Sequence, residues 1–165
     1  DALKSASYLS KFAKLIRQNF DFVSKKTIPL SDELDALRNY LETQKMRFES
    51  KFDYEIILEE SIDEANIEIP PLLLQPFIEN SIEHGFKNID YIGKIKISLH
   101  RVQNKLLIEI IDNGVGISNL EDLPNGHAID IFKKRLKLLD KQDEKSFAIA
   151  STKGNTSIKF SLSLS

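Results

Sequence analysis

The sequence predicts an α+β fold: a two-layer sandwich of helices on a mixed, mostly antiparallel sheet, preceded by N-terminal helices. Three observations carry that expectation. The first fifty residues hold two apolar stripes at helical spacing, later segments alternate as half-buried strands do, and consecutive strands are joined by short turns that only antiparallel neighbours permit.

In chain order, Leu3, Ala6, Leu9, Phe12, Ala13, Ile16, Phe20 and Val23 recur close to the i, i+3, i+4, i+7 spacing of an amphipathic helix over residues 2–23. Lys25 to Pro29 break it. Ser31 reads as the N-cap of a second helix, with Asp32 and Glu33 in its first turn and Leu34, Leu37, Leu41 and Phe48 as its stripe. The pair reads as a helical hairpin whose apolar edges either cap the core or face a second copy. Tyr54, Ile56 and Leu58 alternate with charged residues as a strand. Pro70 and Pro71 stop any strand and open the helix that carries PFIENSIEHGF, ordered from near Pro76. Ile95, Ile97 and Leu99 alternate with Lys94, Lys96, Ser98 and His100, and the nearly all-apolar LLIEII, residues 106–111, suits a central strand. A polar loop over 112–125, a helix over 128–139 and strands over 147–150 and 156–164 complete the chain.

At 165 residues, 41% hydrophobic and 29% charged, the chain supports a sizeable core. A net charge of -2 provides no global basic field, and the charged strand at Lys94 and Lys96 lacks the aromatics of a nucleic-acid reader, so no nucleic-acid partner is expected. The absence of cysteine excludes disulfides and thiolate metal sites. No apolar run approaches the roughly 20 residues that cross a bilayer as a helix. With Asp1 in first place and Met46 its only methionine, the chain reads as a piece of something longer.

Three stretches carry chemistry. In IIDNGVGI the chain leaves a buried strand directly into Asp112, then passes Gly114 and Gly116. A carboxylate there can accept a hydrogen bond from an exocyclic amine, and the glycines let backbone approach a ligand. The competing reading is an Asn-Gly hairpin, but SNLEDLPNG supplies no second strand. In the helix, Asn80 offers an amide oxygen suited to Mg2+. His84, one turn on, is more often a hydrogen-bonded histidine near a helix end than a catalytic group. In NGHAIDIFKKRL, Gly126 precedes a helix whose free N–H groups make an anion site, though Gly followed by a helix is a weak signal alone. Lys133, Lys134 and Arg135 sit too far along that helix to assume phosphate contact. There is no GxxxxGK[ST] loop, no GxGxxG after a strand and no HExxH.

Together LSDELDALRNYLETQKMRF, PPLLLQPFIENSIEHG and IEIIDNGVGI resemble the LytS-type sensor histidine kinases of the GHKL superfamily. The resemblance covers nearly the whole chain, since YLSKFAKLIRQNF is similar to the second half of that family's dimerisation region. It implies that residues 1–50 are the C-terminal part of the dimerisation helices and 51–165 a Bergerat-fold ATP-binding domain. It further implies that Asn80, in the N box, binds Mg2+, and that Asp112, Gly114 and Gly116 form the G1 box, with Asp112 reading the adenine amine. His84 then lines the same pocket and Gly126 belongs to the G2 box. The implied activity is transfer of the ATP γ-phosphate to a histidine. The implied partners are a second copy through the N-terminal helices and a cytoplasmic response regulator, with a membrane anchor only upstream.

The chain departs from the family in three places. Residues 1–83 contain no His, so the phosphoacceptor is expected outside this chain or absent from the parent. Ala128 and Ile131 stand where the G2 box usually has Gly and Asn. Glu83 replaces the basic residue that commonly precedes the N-box His. Hydrolytic relatives also place a Glu one turn before the Asn to activate water, and here that position is Pro76, so hydrolysis should be slow. A serine kinase of the same superfamily, or a nucleotide-binding or dimerisation module without transfer activity, are the alternative readings.

Overall fold

The computed structural model describes residues 2–116, 134 and 147–164. The chain divides into two compact units, one of Asp1–Lys51 with Asp63–Gln75 and one of Phe52–Ile62 with Pro76–Ser165.

The helical unit contains α1 (Ala2–Val23), β1 (Ile28–Pro29), α2 (Leu30–Arg47) and β3 (Glu68–Ile69). Leu15 and Phe22, seven residues apart and so on one face, are the buried apolar residues of α1. Leu9, Phe12, Ile16, Phe20 and Val23 form a second, exposed stripe on the same helix. The strongest periodic signal in this segment therefore marks the face that the unit leaves uncovered. On α2, Leu30, Leu34, Leu37 and Leu41 are fully enclosed. Ser31 does not cap this helix. It begins one residue earlier, with Pro29 at the capping position and no side-chain cap bond. The first-turn donors are satisfied instead by the 63–75 segment: Leu30 N–H donates to the Ile67 carbonyl at 2.7 Å and Ser31 N–H to that of Glu64 at 3.0 Å. Asp32 and Glu33 in the first turn and Lys45 and Arg47 in the last complement the helix dipole.

Glu33 also has a second task. Only 2% exposed, it accepts the Leu72 N–H on Oε2 at 2.7 Å and the Leu74 N–H on Oε1 at 3.1 Å. Leu72 has φ +54°, outside helical space. That left-handed residue breaks any helix begun at Pro70 or Pro71, and the next helix, α3 (Gln75–Asn80), carries Pro76 in its first turn.

In the sheet unit, β2 (Phe52–Leu58), β4 (Gly93–Val102), β5 (Lys105–Asp112), β6 (Phe147–Thr152) and β7 (Asn155–Ser163) form one sheet in the order β2-β4-β5-β7-β6. β2–β4 is parallel and the other three pairings are antiparallel. β5 is the middle strand, as its apolar run requires. Alternation puts Ile95, Ile97 and Leu99, then Leu106, Ile108 and Ile110, then Ile158, Phe160 and Leu162 on the buried face. Phe77 of α3 packs on that face, 6.1 Å from the Phe160 ring and 6.2 Å from Phe147. On the opposite face Lys159 pairs with Glu109 at 2.7 Å. Since Asp112 continues the parity of Ile108 and Ile110, its side chain falls on the helix-facing side of the sheet.

Candidate functional site

The helical stretch that Gln75 opens changes pitch. α3 ends at Asn80 and the backbone passes into a π-turn over Ser81–Gly85, closed by Phe86 N–H donating to the Ser81 carbonyl at 3.0 Å. Such widened turns insert one residue and recur at functional sites. Here the turn presents Ser81 and Gly85 to the end of β5. Ser81 Oγ lies 2.7 Å from Asp112 Oδ2 and 3.2 Å from the Phe77 carbonyl. A serine inside a helix normally returns its proton to the i−4 carbonyl; the shorter contact gives it to the carboxylate. The Gly114 N–H donates to Asp112 Oδ1 at 2.9 Å. Asp112 is 5% exposed, and burial pushes its carboxyl above the usual range, with Ser81 and Gly114 pulling the other way.

Two glycines bring the backbones together. A Cβ on Gly114 would lie 2.7 Å from the Gly85 carbonyl oxygen, and the Val115 N–H donates to that oxygen at 2.9 Å. A Cβ on Gly116, at φ +82°, would lie 2.3 Å from the Thr152 carbonyl oxygen. Asn113 explains why DNG is not a hairpin turn. Its Oδ1 accepts the Lys94 N–H at 2.5 Å and its carbonyl accepts the Tyr91 hydroxyl at 2.6 Å, which ties it to the start of β4 instead.

The residues singled out from the sequence are therefore distributed as follows. Asp112, Gly114 and Gly116 lie together at the end of β5 and just beyond it. Asn80 is half-buried, one residue before the Ser81 that touches Asp112, and His84 is exposed on the π-turn. Gly126 lies outside the described residues, as do His127, Ala128, Ile131, Lys133 and Arg135 and nearly all of the helix expected over 128–139. Among the described residues no group of three or more His, Asp or Glu side chains forms a metal cage. Mg2+ on a nucleotide needs none, since phosphates and water fill most of its coordination shell and one neutral amide oxygen such as that of Asn80 suffices. Ser81 and Gly85 were not picked out by sequence reasoning. Their only signal was position, one directly after Asn80 and the other directly after His84.

A family model described as "Histidine kinase" matches residues 1–52. The sensor protein LytS of Oceanobacillus iheyensis is 34% identical over 116 residues, which is 70% of this chain and 20% of that protein. This chain thus spans about a fifth of the length of its curated relative. The histidine kinase domain of the Erythrobacter litoralis blue-light activated histidine kinase superposes with a TM-score of 0.64 at 16% identity, over 95% of this chain and 75% of that one. The histidine kinase ThkA, solved in complex with the response regulator protein TrrA, superposes with a TM-score of 0.52 at 13% identity, over 97% of this chain and 49% of its own. No described helix is long and apolar enough to cross a membrane. Sequence over most of its length and the fold of its sheet unit agree: the chain belongs to the LytS-type histidine kinases and carries a GHKL kinase catalytic fold.

Proposed function

We propose that the sheet unit binds Mg·ATP and delivers its γ-phosphate to a histidine outside this chain. The observation that carries this reading is the buried carboxylate of Asp112, set beside the π-turn through Ser81 and next to the close Gly85–Gly114 backbone approach. Asp112 would accept the purine amine, Asn80 would hold the metal, and His84 and Gly126 would line the phosphate side. Bound Mg2+ would supply neutralisation of charge on the transferring phosphoryl group. The chain's own contribution is to position the base and exclude water around it, which is most of what phosphoryl transfer asks of a protein. Pro76, one turn before Asn80, offers no proton-accepting side chain to activate water, which supports transfer over hydrolysis.

Residues 1–50 then serve as the C-terminal part of the dimerisation helices and 51–165 as the ATP-binding domain. The exposed α1 stripe supports a homodimer, because a contiguous uncovered apolar helix face gains by burial and can pair with the same face of a second copy. A response regulator is the natural acceptor downstream, by analogy with ThkA, which was solved with one. In the parent protein this segment would work in the cytoplasm below an upstream membrane anchor.

Isothermal titration with ATP and Mg2+ tests binding, and phosphate transfer to an added fragment carrying the family's histidine helix tests the activity. Micromolar binding with transfer is expected. Heat-silent titration would refute the nucleotide site, and binding without transfer would leave a nucleotide-binding module.

A further inference from the structure

We propose that Ser81 is the residue that sets base selectivity, by holding the Asp112 carboxylate as a pure acceptor aimed at an amino group on the purine six-position. The inference rests on the nucleotide reading above and goes beyond it by assigning discrimination to a residue of the π-turn.

A carboxylate has two oxygens and roughly four acceptor positions. At Asp112 each oxygen is already committed to one donor, Oδ2 to the Ser81 hydroxyl at 2.7 Å and Oδ1 to the Gly114 N–H at 2.9 Å. The two donors approach different oxygens and so fix the rotation of the carboxylate plane. What is left on both oxygens is lone pairs. An amino group donates to these, whereas a six-oxo group presents lone pair against lone pair and leaves the buried carboxylate short of a partner.

Gly114 N–H is a backbone donor and stays whatever the side chains are. Ser81 is the removable half of the clamp. It is 4% exposed, so no bulk water replaces its hydroxyl directly. It also has an alternative acceptor, the Phe77 carbonyl at 3.2 Å, and forgoes it for Asp112. Without the hydroxyl, Oδ2 loses its fixed donor, the carboxyl is free to turn, and an oxo group is tolerated better.

The test is titration of Mg·ATP and Mg·ITP, which carry an amine and an oxo group at the six-position and an acceptor and a donor at N1, into the wild-type chain, Ser81→Ala and Ser81→Thr. Both nucleotides meet the same preparation, so partial unfolding weakens both apparent affinities equally and leaves their ratio unchanged. Wild type is expected to prefer ATP. In Ser81→Ala the ratio should shrink by about tenfold, the worth of one hydrogen bond to a charged group, and Ser81→Thr, which keeps the hydroxyl, should restore most of it. An unchanged ratio in Ser81→Ala overturns the assignment while leaving the nucleotide site standing. Failure of the wild type to bind either nucleotide overturns the site and this inference together.

Discussion

Gly85 and Gly114 touch through their backbones: a side chain on Gly114 would begin 2.7 Å from the Gly85 carbonyl oxygen, well inside van der Waals contact. Since that oxygen accepts the Val115 N–H, it has no room to withdraw. Gly114→Ala should therefore destabilise the sheet unit by about 1–3 kcal/mol through overpacking. It should also weaken ATP binding more than it lowers the melting temperature, because the displaced backbone carries Asp112. Thermal melts alongside titration calorimetry check both effects.

Asp112→Asn and Asn80→Asp should each abolish Mg·ATP binding and leave the circular dichroism spectrum intact. The first replaces an acceptor-only group with one that also donates, and the second places a full charge beside the phosphates. Undiminished affinity in both variants sinks the assignment of these two residues.

Acid should weaken nucleotide binding. Burial raises the Asp112 pKa, so the amine acceptor is lost as pH falls through a value above the ordinary carboxylate range. Titration calorimetry of the wild type at several pH values measures the loss. For the unliganded chain the sign reverses. Between the ordinary and the raised value the folded form holds more protons than the unfolded one, so the Asp112 contribution to stability declines as pH rises through that window. Denaturant melts at several pH values, compared between wild type and Asp112→Asn, measure it.

Glu33→Ala should cost roughly 2–4 kcal/mol, since it orphans the Leu72 and Leu74 N–H donors together. Glu33→Gln retains one acceptor oxygen and should cost about half as much. Urea midpoints give both values.

Phe12→Glu combined with Ile16→Glu should abolish self-association without lowering stability, because both residues are exposed, 43% and 44%, within the chain. Sedimentation equilibrium distinguishes the outcomes; a dimer that survives both charges would place the contact elsewhere.

Much of this was legible in the residues. The α1 bounds, the middle position of β5 and the role of Asp112 as strand end all follow from apolar period and from polarity placed against it. The capping of α2 was not. Ser31 has the right chemistry for a cap, but a remote segment supplies carbonyls to the first turn, and no local pattern announces a remote acceptor. The start of α3 near Pro76 was legible, whereas the hold of Glu33 on the Leu72 and Leu74 N–H groups, from about forty positions away in the chain, was not. Periodicity picked out the stripe of α1 that the structure leaves exposed and missed the buried pair Leu15 and Phe22. Ser81 escaped because its contact is with Asp112, far along the chain, and no local pattern announces it.

The single parallel pairing among the described strands has a consequence for how the chain acquires its shape. β4–β5 and β6–β7 are hairpins closed by short turns, but β2 reaches β4 across residues 59–92 and β5 reaches β7 across residues 113–154. Ring closure of that length is slow compared with hairpin formation. A polypeptide started at Pro76 would keep both hairpins but lack β2, and so present the bare flank of β4 to any passing chain; clumping during refolding is the signature to look for in such a truncation.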